Sequence, residues 1–150
     1  MIIFGVDPGK VTGLALWCDD CIRPETSEVQ ASSVGTMIRR MLDDHHWPPR
    51  STPPGPLWFA RERFVQGSRK TRQPHAQEVL GHVDAIANEL GAQLVDQNPG
   101  PALKIAPNQL LRDIGWYVAS RDQHANAAQR HVLLALASLF PETFASIVEI

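Results

Sequence analysis

A chain of 150 residues with 43% hydrophobic and 20% charged side chains has the length and composition of one ordinary folded domain, spanning residues 1–150. These values exclude a disordered chain, a collagen-like chain and a disulfide scaffold, and the apolar stretches fall short of the roughly 20 residues of a membrane span. The sequence begins without a basic leader and holds two cysteines, so we expect a cytoplasmic protein in a reducing compartment, with no signal peptide and no membrane contact.

The first thirty residues predict three short strands joined by turns. Apolar runs cover residues 2–6 and 11–17, and a more polar run covers 22–31. Residues 34–45 then carry apolar side chains at helical spacing, and five prolines between positions 47 and 56 indicate a loop.

The remaining elements alternate between strands and helices. Strands are predicted at 57–64 and 92–96, helices at 75–90, 108–114 and 122–140, and polar or turn-rich loops at 66–74 and 98–107. We expect Asn108 to cap its helix, Pro141 to end the last helix, and the final ten residues to form an amphipathic tail. Three antiparallel strands followed by alternating helices and strands predict an α/β fold, with a mixed five-stranded sheet flanked by helices.

Positive charge is concentrated in one segment, although the net charge of the chain is −2. Residues 61–72 carry five bases against one acid, a local net charge of +4. Such a segment on a mildly acidic body fits a polyanion bound at one place, and a solvated loop gives the same pattern.

Two acids end apolar strands, where a carboxylate is costly to bury without a cation or hydrogen bonds. Asp7 closes the first strand before a Pro-Gly turn, and Glu62 closes the fourth strand. If these strands are neighbours, the pair begins a site for a hard cation such as Mg²⁺, which prefers carboxylate oxygens. Alternatively, Asp7 caps its turn and Glu62 pairs with Arg61 or Arg63; the glycines around Asp7 match the phosphate loop of actin-like kinases poorly.

A third candidate lies on the last predicted helix. His124 and position 127 are three residues apart and therefore share a helix face. His131 lies roughly 10 Å further along, too far away to bind the same ion. A single histidine on a helix is more often a hydrogen-bonded structural residue than a metal ligand.

The two cysteines have the spacing of half a zinc site, Cys18-x-x-Cys21, but no second pair follows. The pair His45-His46 could in principle complete such a site. The simpler interpretation is that two thiols flank a hairpin turn and take no part in chemistry.

Several of these residues occur together in one family. The run Phe4-Gly5-Val6-Asp7-Pro8-Gly9, then Thr12-Gly13, and Glu62 at the end of the fourth strand resemble the RuvC family of Holliday junction resolvases. Residues 110–116, His124-Ala125-Asn126 and Arg130-His131 are similar to phage RuvC-like endonucleases in particular. The resemblance covers about residues 1–140 and implies a ribonuclease H-like fold.

The resemblance also implies a function and a set of site residues. Members of the family act as dimers and cut branched DNA such as four-way junctions with two divalent ions, Mg²⁺ or Mn²⁺. The resemblance places Asp7, Glu62 and His124 at metal-binding and catalytic positions, and Lys104 near the DNA backbone. The basic residues Arg69, Lys70 and Arg72 are expected to contact phosphates, which positions DNA without reading its sequence.

The chain departs from the family at one position. Where the family carries an acid three residues after the position of His124, this chain has Ala127. A methyl group cannot coordinate a metal, and two-metal cleavage needs both ions held about 3.5–4 Å apart. The intact motif around one missing carboxylate favours an engineered, inactivated nuclease. The alternative is a natural, non-catalytic module that binds branched DNA, or a site that recruits Asn126 or Asp122 instead.

Overall fold

The computed structural model of the chain describes residues 1–62, 74–121 and 123–149. Its sheet has the strand order β3-β2-β1-β4-β5. The strands are β1 (Ile2–Asp7), β2 (Val11–Cys18), β3 (Glu25–Gln30), β4 (Leu57–Glu62) and β5 (Gln93–Gln97). The first three pair antiparallel, whereas β4 is parallel to both β1 and β5. The predicted mixed five-stranded α/β sheet is thereby confirmed.

Helices cover both faces of this sheet. They are α1 (Val34–Asp44), α2 (Pro74–Leu90), α3 (Pro99–Ile105), α4 (Asn108–Asp113), α5 (His124–Leu139) and α6 (Pro141–Val148). A short 3₁₀ turn (Ala31–Ser33) precedes α1. Helices α1 and α2 pack on one face, and α5 packs on the other with α3 and α6 beside it.

The alternation of side chains along β1 determines which residues face α5. Phe4 and Val6 belong to the core under α1 and α2, whereas Ile3 belongs to the core under α5. Because successive side chains of a strand point to opposite faces, Gly5 and Asp7 lie on the same face as Ile3. The last residue of β1 therefore presents its carboxylate to α5.

Two glycines allow α5 to lie directly on the sheet. A Cβ atom at Gly5 would come within 1.9 Å of the carbonyl oxygen of Ala128, and one at Gly13 would come within 1.9 Å of the carbonyl oxygen of His124. No side chain fits at such a separation, so the helix backbone touches β1 and β2 only because these positions are glycine.

One predicted strand boundary and one predicted loop are wrong. The third strand begins at Glu25 rather than residue 22, because its ladder with β2 begins at the pair Leu16 and Glu25 and Ile22 is 96% exposed. The predicted loop at 98–107 contains α3, whose prolines fall in the first turn, where backbone N–H groups have no partner within the helix. The final ten residues, predicted as an amphipathic tail without a definite structure, contain α6, and Pro141 both follows α5 and starts this new helix.

The predicted helix cap at Asn108 is also wrong. Pro107 occupies the N-cap position of α4, and no side chain caps that helix. The Asn108 side-chain oxygen instead accepts a hydrogen bond from the guanidinium of Arg130 on α5. The amide therefore ties α4 to α5 rather than ending its own helix.

The cysteines flank the turn between β2 and β3 as predicted, but they are not two free thiols. Cys18 and Cys21 form a disulfide, and their Cα atoms lie 5.1 Å apart, within the range that a disulfide spans. Among the helices described, none is long and apolar enough to cross a membrane.

Candidate active site

One row of residues crosses the sheet beneath the start of α5. The strand register pairs Asp7 with Gly13, and Gly13 with Glu28 on β3. On the other side of β1, Val6 pairs with Arg61, so that Asp7 and Glu62 are neighbours at the ends of parallel strands. Glu62 pairs in turn with Gln97. Three acids are thus aligned on the face that α5 covers.

The central contact of the site joins Asp7 to His124, the first residue of α5. The Asp7 Oδ2 atom lies 2.8 Å from Nδ1 of His124, and the two side chains are 16% and 33% exposed. The ring nitrogen donates to the carboxylate. The close approach at Gly13 brings the helix start this near to β1.

The pKa values of Asp7 and Glu62 are both raised above their usual values. Burial raises the pKa of Asp7, and the hydrogen bond from His124 offsets only part of the effect. Burial also raises the pKa of Glu62, and the nearby charge of Asp7 adds to it. Two partly buried carboxylates, each with a raised pKa, are the donor set that a divalent cation stabilises. The residues therefore fit Mg²⁺ or Mn²⁺.

The raised pKa of Glu62 predicts a stabilising substitution. Above that pKa the charged side chain is more costly in the folded state than in the unfolded one, so Glu62 lowers stability at neutral pH and this cost disappears as the pH falls through the raised pKa. In a chelator, Glu62→Gln should therefore raise the melting temperature by a few degrees at pH 7, and the gain should shrink toward pH 4. Thermal unfolding followed by circular dichroism measures this.

The matched control for that experiment is Glu149→Gln, since Glu149 is an exposed carboxylate at the end of α6. Its melting temperature should follow that of the unmodified chain at every pH. In Mn²⁺ the unmodified chain should instead have a higher melting temperature than Glu62→Gln, because it gains stability from a bound ion. If Glu62→Gln and the unmodified chain have equal melting temperatures in chelator at both pH 7 and pH 4, burial of the Glu62 charge does not cost stability and the prediction is wrong.

Glu28 is a site residue that the sequence analysis missed. Its carboxylate accepts hydrogen bonds from the Ser120 hydroxyl and from the backbone N–H of Ala125, 3.0 Å away. Although burial acts to raise the pKa of Glu28, these hydrogen bonds hold it below its usual value. Glu28 therefore stays ionised and fixes the first turn of α5 over β3. Only the pairing of β3 with β2 places Glu28 here, and that pairing cannot be predicted from the sequence of either strand alone.

Arg130 is the second residue that was missed in this role. Its Nε atom donates to the carbonyl oxygen of Ala106 at 2.9 Å, and the guanidinium also contacts Asn108. The guanidinium is half-buried, and its charge acts to lower the pKa of Asp7, after the larger effects of burial and His124. Arg130 thus brings a fixed positive charge to the carboxylate site.

Position 127 lies on the helix face that covers the row. His124 contacts Asp7 and, seven residues later, His131 Nδ1 donates to Gln97 Oε1 at 2.7 Å. Ala127 lies between them in the first turns of α5 and is half-buried. Burial lowers the pKa of His131 to about 4, so this residue is neutral and structural. The proposed role of position 127 as the missing acid stays a prediction.

The predicted substitutes for that acid fare differently. Asn126 is fully buried and bonded through both side-chain atoms, with Oδ1 2.9 Å from the backbone N–H of Val118 and Nδ2 2.8 Å from its carbonyl oxygen. Asn126 fixes the segment before α5 and is not available to a metal, so that alternative is wrong. Asp122 lies outside the described residues.

The predicted DNA contacts are only partly placed. Arg69, Lys70 and Arg72 lie outside the described residues. Lys104 is exposed, but it stands on α3 rather than in a loop. Arg61, which contributes to the basic segment, is paired with Asp84 and Asp96, and its side chain is only 12% exposed. It neither pairs with Glu62 nor remains free for phosphate.

The candidate metal ligands of this site do not converge closely. Within residues 1–62, 74–121 and 123–149, one group of three His, Cys, Asp or Glu donors has all its ligand atoms within 4.8 Å, and it is formed by Cys18, Cys21 and His45. The predicted ligands lie together at the carboxyl ends of β1 and β4 and at the start of α5, but the donor atoms of Asp7, Glu62 and His124 are not all within 4.8 Å of one another. Their assignment as metal ligands stays a prediction.

Solved structures of RuvC share the fold. RuvC of Thermus thermophilus in complex with Holliday junction substrate matches with a TM-score of 0.64 and 16% identity, over 93% of this chain and 97% of that one. A second Thermus thermophilus RuvC structure matches with a TM-score of 0.58 and 15% identity, over 93% and 96%. No family model and no curated protein matches the chain. The fold is therefore the ribonuclease H-like fold of RuvC, as the sequence resemblance implied.

Proposed function

We propose that this chain is a RuvC-type domain that binds branched DNA, in particular four-way junctions, and that its cutting activity is impaired by Ala127. The observation that supports the proposal best is the Asp7–His124 contact beside Glu62, at one edge of a RuvC-like sheet. The same three residue types, in the same elements, were expected from the sequence resemblance. The RuvC structure with its junction substrate supports the choice of DNA.

The proposed roles follow from the chemistry of each side chain. Asp7 and Glu62 would hold Mg²⁺ or Mn²⁺ through carboxylate oxygens. His124 positions the Asp7 carboxylate through the hydrogen bond to Oδ2, and serves as a further ligand or orients the attacking water. Bound divalent ions would supply an activated water and stabilise the leaving 3′ oxygen. Glu28 and Gly13 hold the start of α5 in place for this arrangement.

A specific observation keeps the non-catalytic alternative open. Ala127 offers no ligand on the face where the family carries an acid, and the buried amide of Asn126 does not replace it. A chain that binds a junction without cutting it would need the fold, the basic segment and the helix start, but not that acid. A comparison of junction cutting by the unmodified chain and by Ala127→Asp separates the two functions.

The proposal extends to assembly and place of action. A four-way junction offers two equivalent strands to cut, and a symmetric homodimer offers two equivalent sites. We therefore propose a homodimer acting in the cytoplasm of a bacterium or a phage-infected host. Light scattering of the purified chain, with and without junction DNA, measures the stoichiometry.

The binding proposal predicts preference and salt dependence. The chain should bind a four-way junction at least tenfold more tightly than a duplex of the same sequence, measured by fluorescence anisotropy in a chelator. Each phosphate neutralised should steepen the plot of log K against log salt by roughly 0.9 for duplex DNA. Equal affinity for the two DNA forms, or an affinity that ignores salt, would contradict the proposal.

A paired substitution tests the basic segment. Changing Arg69, Lys70 and Arg72 to alanine should weaken binding alike for different DNA sequences and lower the salt slope by up to about three phosphates' worth. The matched control removes the same charge from the side of α1 and the loop that follows it, by changing Arg39, Arg40 and Arg50 to alanine. If both triple variants lose the same affinity, net charge rather than a local contact explains binding.

A further inference from the structure

A second cluster of ligand-type side chains lies at the other end of the sheet. The Cys–His cluster consists of Cys18, Cys21 and His45, all half-buried, and one donor atom from each lies within 4.8 Å of the others. Cys18 pairs with Ile2 at the start of β1, whereas Asp7 ends that strand five residues later. At about 3.4 Å per residue, the cluster is about 17 Å from the candidate active site along β1.

The backbone fixes each member of the cluster separately. The N–H of Cys21 donates to the carbonyl oxygen of Cys18 at 3.0 Å, which closes the turn between β2 and β3. His45 follows α1 directly, and its N–H bonds the last turn of that helix through the carbonyl oxygens of Met41 and Leu42, both at 3.2 Å. The side chains converge because two secondary-structure ends meet here.

His45 also has the outer partner that metal-binding histidines commonly have. Its Nε2 atom lies 2.9 Å from Oε2 of Glu25, the first residue of β3. When Nε2 donates its proton to this carboxylate, Nδ1 carries the free lone pair that a metal needs. A carboxylate that orients a ligating imidazole in this way is typical of zinc sites.

We propose that the reduced Cys–His cluster is a zinc site, with Cys18, Cys21 and His45 as ligands and Glu25 as the carboxylate that orients His45. Two thiolates and an imidazole suit Zn²⁺, whereas Mg²⁺ requires oxygen ligands. The two sulfurs in a tetrahedron with 2.3 Å bonds lie about 3.8 Å apart, a separation that rotation of the two side chains of this turn can supply. A cavity of about 360 Å³, lined by Cys18, His45 and His46, adjoins the cluster. A water molecule from this cavity would be the fourth ligand.

The zinc form and the disulfide form are alternatives. A dithiol reductant gives two electrons and two protons to the Cys18–Cys21 disulfide, which becomes two thiols while the reductant becomes a disulfide. Binding of Zn²⁺ then releases both thiol protons to solvent, because the ligands are thiolates. In each form the turn between β2 and β3 is fastened, but only the zinc form also ties the turn to the end of α1.

Metal binding by the reduced and the oxidised chain tests the proposal directly. The chain is reduced with dithiothreitol, desalted under inert gas and titrated with Co²⁺ as a spectroscopic probe, then with Zn²⁺. The reduced chain should show thiolate-to-cobalt charge-transfer absorption that one equivalent of Zn²⁺ removes, and the oxidised chain should show none. This absorption reports sulfur ligands, so metal bound at Asp7 and Glu62 does not contribute and the test is independent of the proposed function.

Three variants test the ligands and their outer partner, and a fourth serves as the control. Cys18→Ser with Cys21→Ser should abolish the cobalt absorption, and His45→Ala should weaken Zn²⁺ binding at least tenfold. Glu25→Gln should weaken it by about 10–100-fold, the usual effect of removing such an outer partner. His75→Ala, at an exposed histidine of α2, should bind as the unmodified chain does. The inference is wrong if the reduced, unmodified chain shows no thiolate absorption, or if His45→Ala keeps full affinity.

Discussion

Replacing Ala127 with aspartate is expected to raise Mn²⁺-dependent cutting of a four-way junction by at least about a hundredfold, since the change adds a carboxylate ligand to an incomplete metal site. Residues three apart on a helix are separated by about 60° around its axis. The new carboxylate would therefore point with His124 toward Asp7. Cleavage of a labelled junction under identical Mn²⁺ concentrations measures the change.

The same substitution should alter stability in a metal-dependent way. Aspartate is a poorer helix former than alanine by up to about 0.7 kcal/mol, and the position near the N-terminus of α5 offsets part of this cost. Three acids close together repel each other until an ion binds. The melting temperature of Ala127→Asp should therefore rise more on addition of Mn²⁺ than that of the unmodified chain.

Two controls separate ligation from other effects of the side chain. Ala127→Asn adds a group of the same size without charge and should leave cutting low. Ala127→Asp combined with Asp7→Asn should lose the gained activity, because the carboxylates act on the same ions. Full-rate cutting by the unmodified chain, or an inert Ala127→Asp that nevertheless gains stability from Mn²⁺, would show that position 127 has another role.

A large loss of stability is expected from Gly5→Ala. The added Cβ would lie 1.9 Å from the carbonyl oxygen of Ala128 and 2.9 Å from a side-chain carbon of Val132, so α5 must move off the sheet. Overpacking of a core costs about 1–3 kcal/mol and occasionally more, and a backbone clash belongs at the upper end. We expect a loss of about 3 kcal/mol, which lowers the melting temperature of a chain of this length by roughly 6–12 °C.

Gly81→Ala is the matched control, with the opposite sign. Gly81 lies in the middle of α2, and no atom comes within 4 Å of a Cβ built there. Alanine is favoured over glycine in a helix by about 0.8–1.0 kcal/mol, so this variant should be slightly more stable. Thermal unfolding of both variants measures the contrast. Equal effects at the two positions would mean that α5 does not press on β1 as described.

Local patterns were sufficient to predict most of the sheet and two of its acids. Apolar runs mark β1, β2 and β4, and an acid at the end of such a run is visible without any tertiary information, as Asp7 and Glu62 illustrate. Helix α2 was predicted within one residue because its apolar side chains repeat at helical spacing. These features depend on residues close together in sequence.

The features that were missed depend on contacts between distant residues. Glu28 belongs to the site because β3 pairs with β2 in one register, and its hydrogen bonds reach Ser120 and Ala125, 92 and 97 residues later. Helix α3 was hidden by prolines, which are read as loop residues although a first helical turn accepts them. His45 was considered from the sequence as a partner of the two cysteines, but only the position of α1 shows that the three side chains converge.

Apart from Gly5, the alternation along β1 makes this strand tolerant of substitution and intolerant of insertion. Many apolar residues can replace Phe4 or Val6 under α1 and α2, provided that they fill similar volume. Adding or deleting one residue inside the strand would exchange its two faces, turning the Asp7 carboxylate into the apolar layer and an apolar side chain toward His124. Residues along such a strand can therefore change while its length stays constant, which is consistent with a fold shared with Thermus thermophilus RuvC at 16% identity.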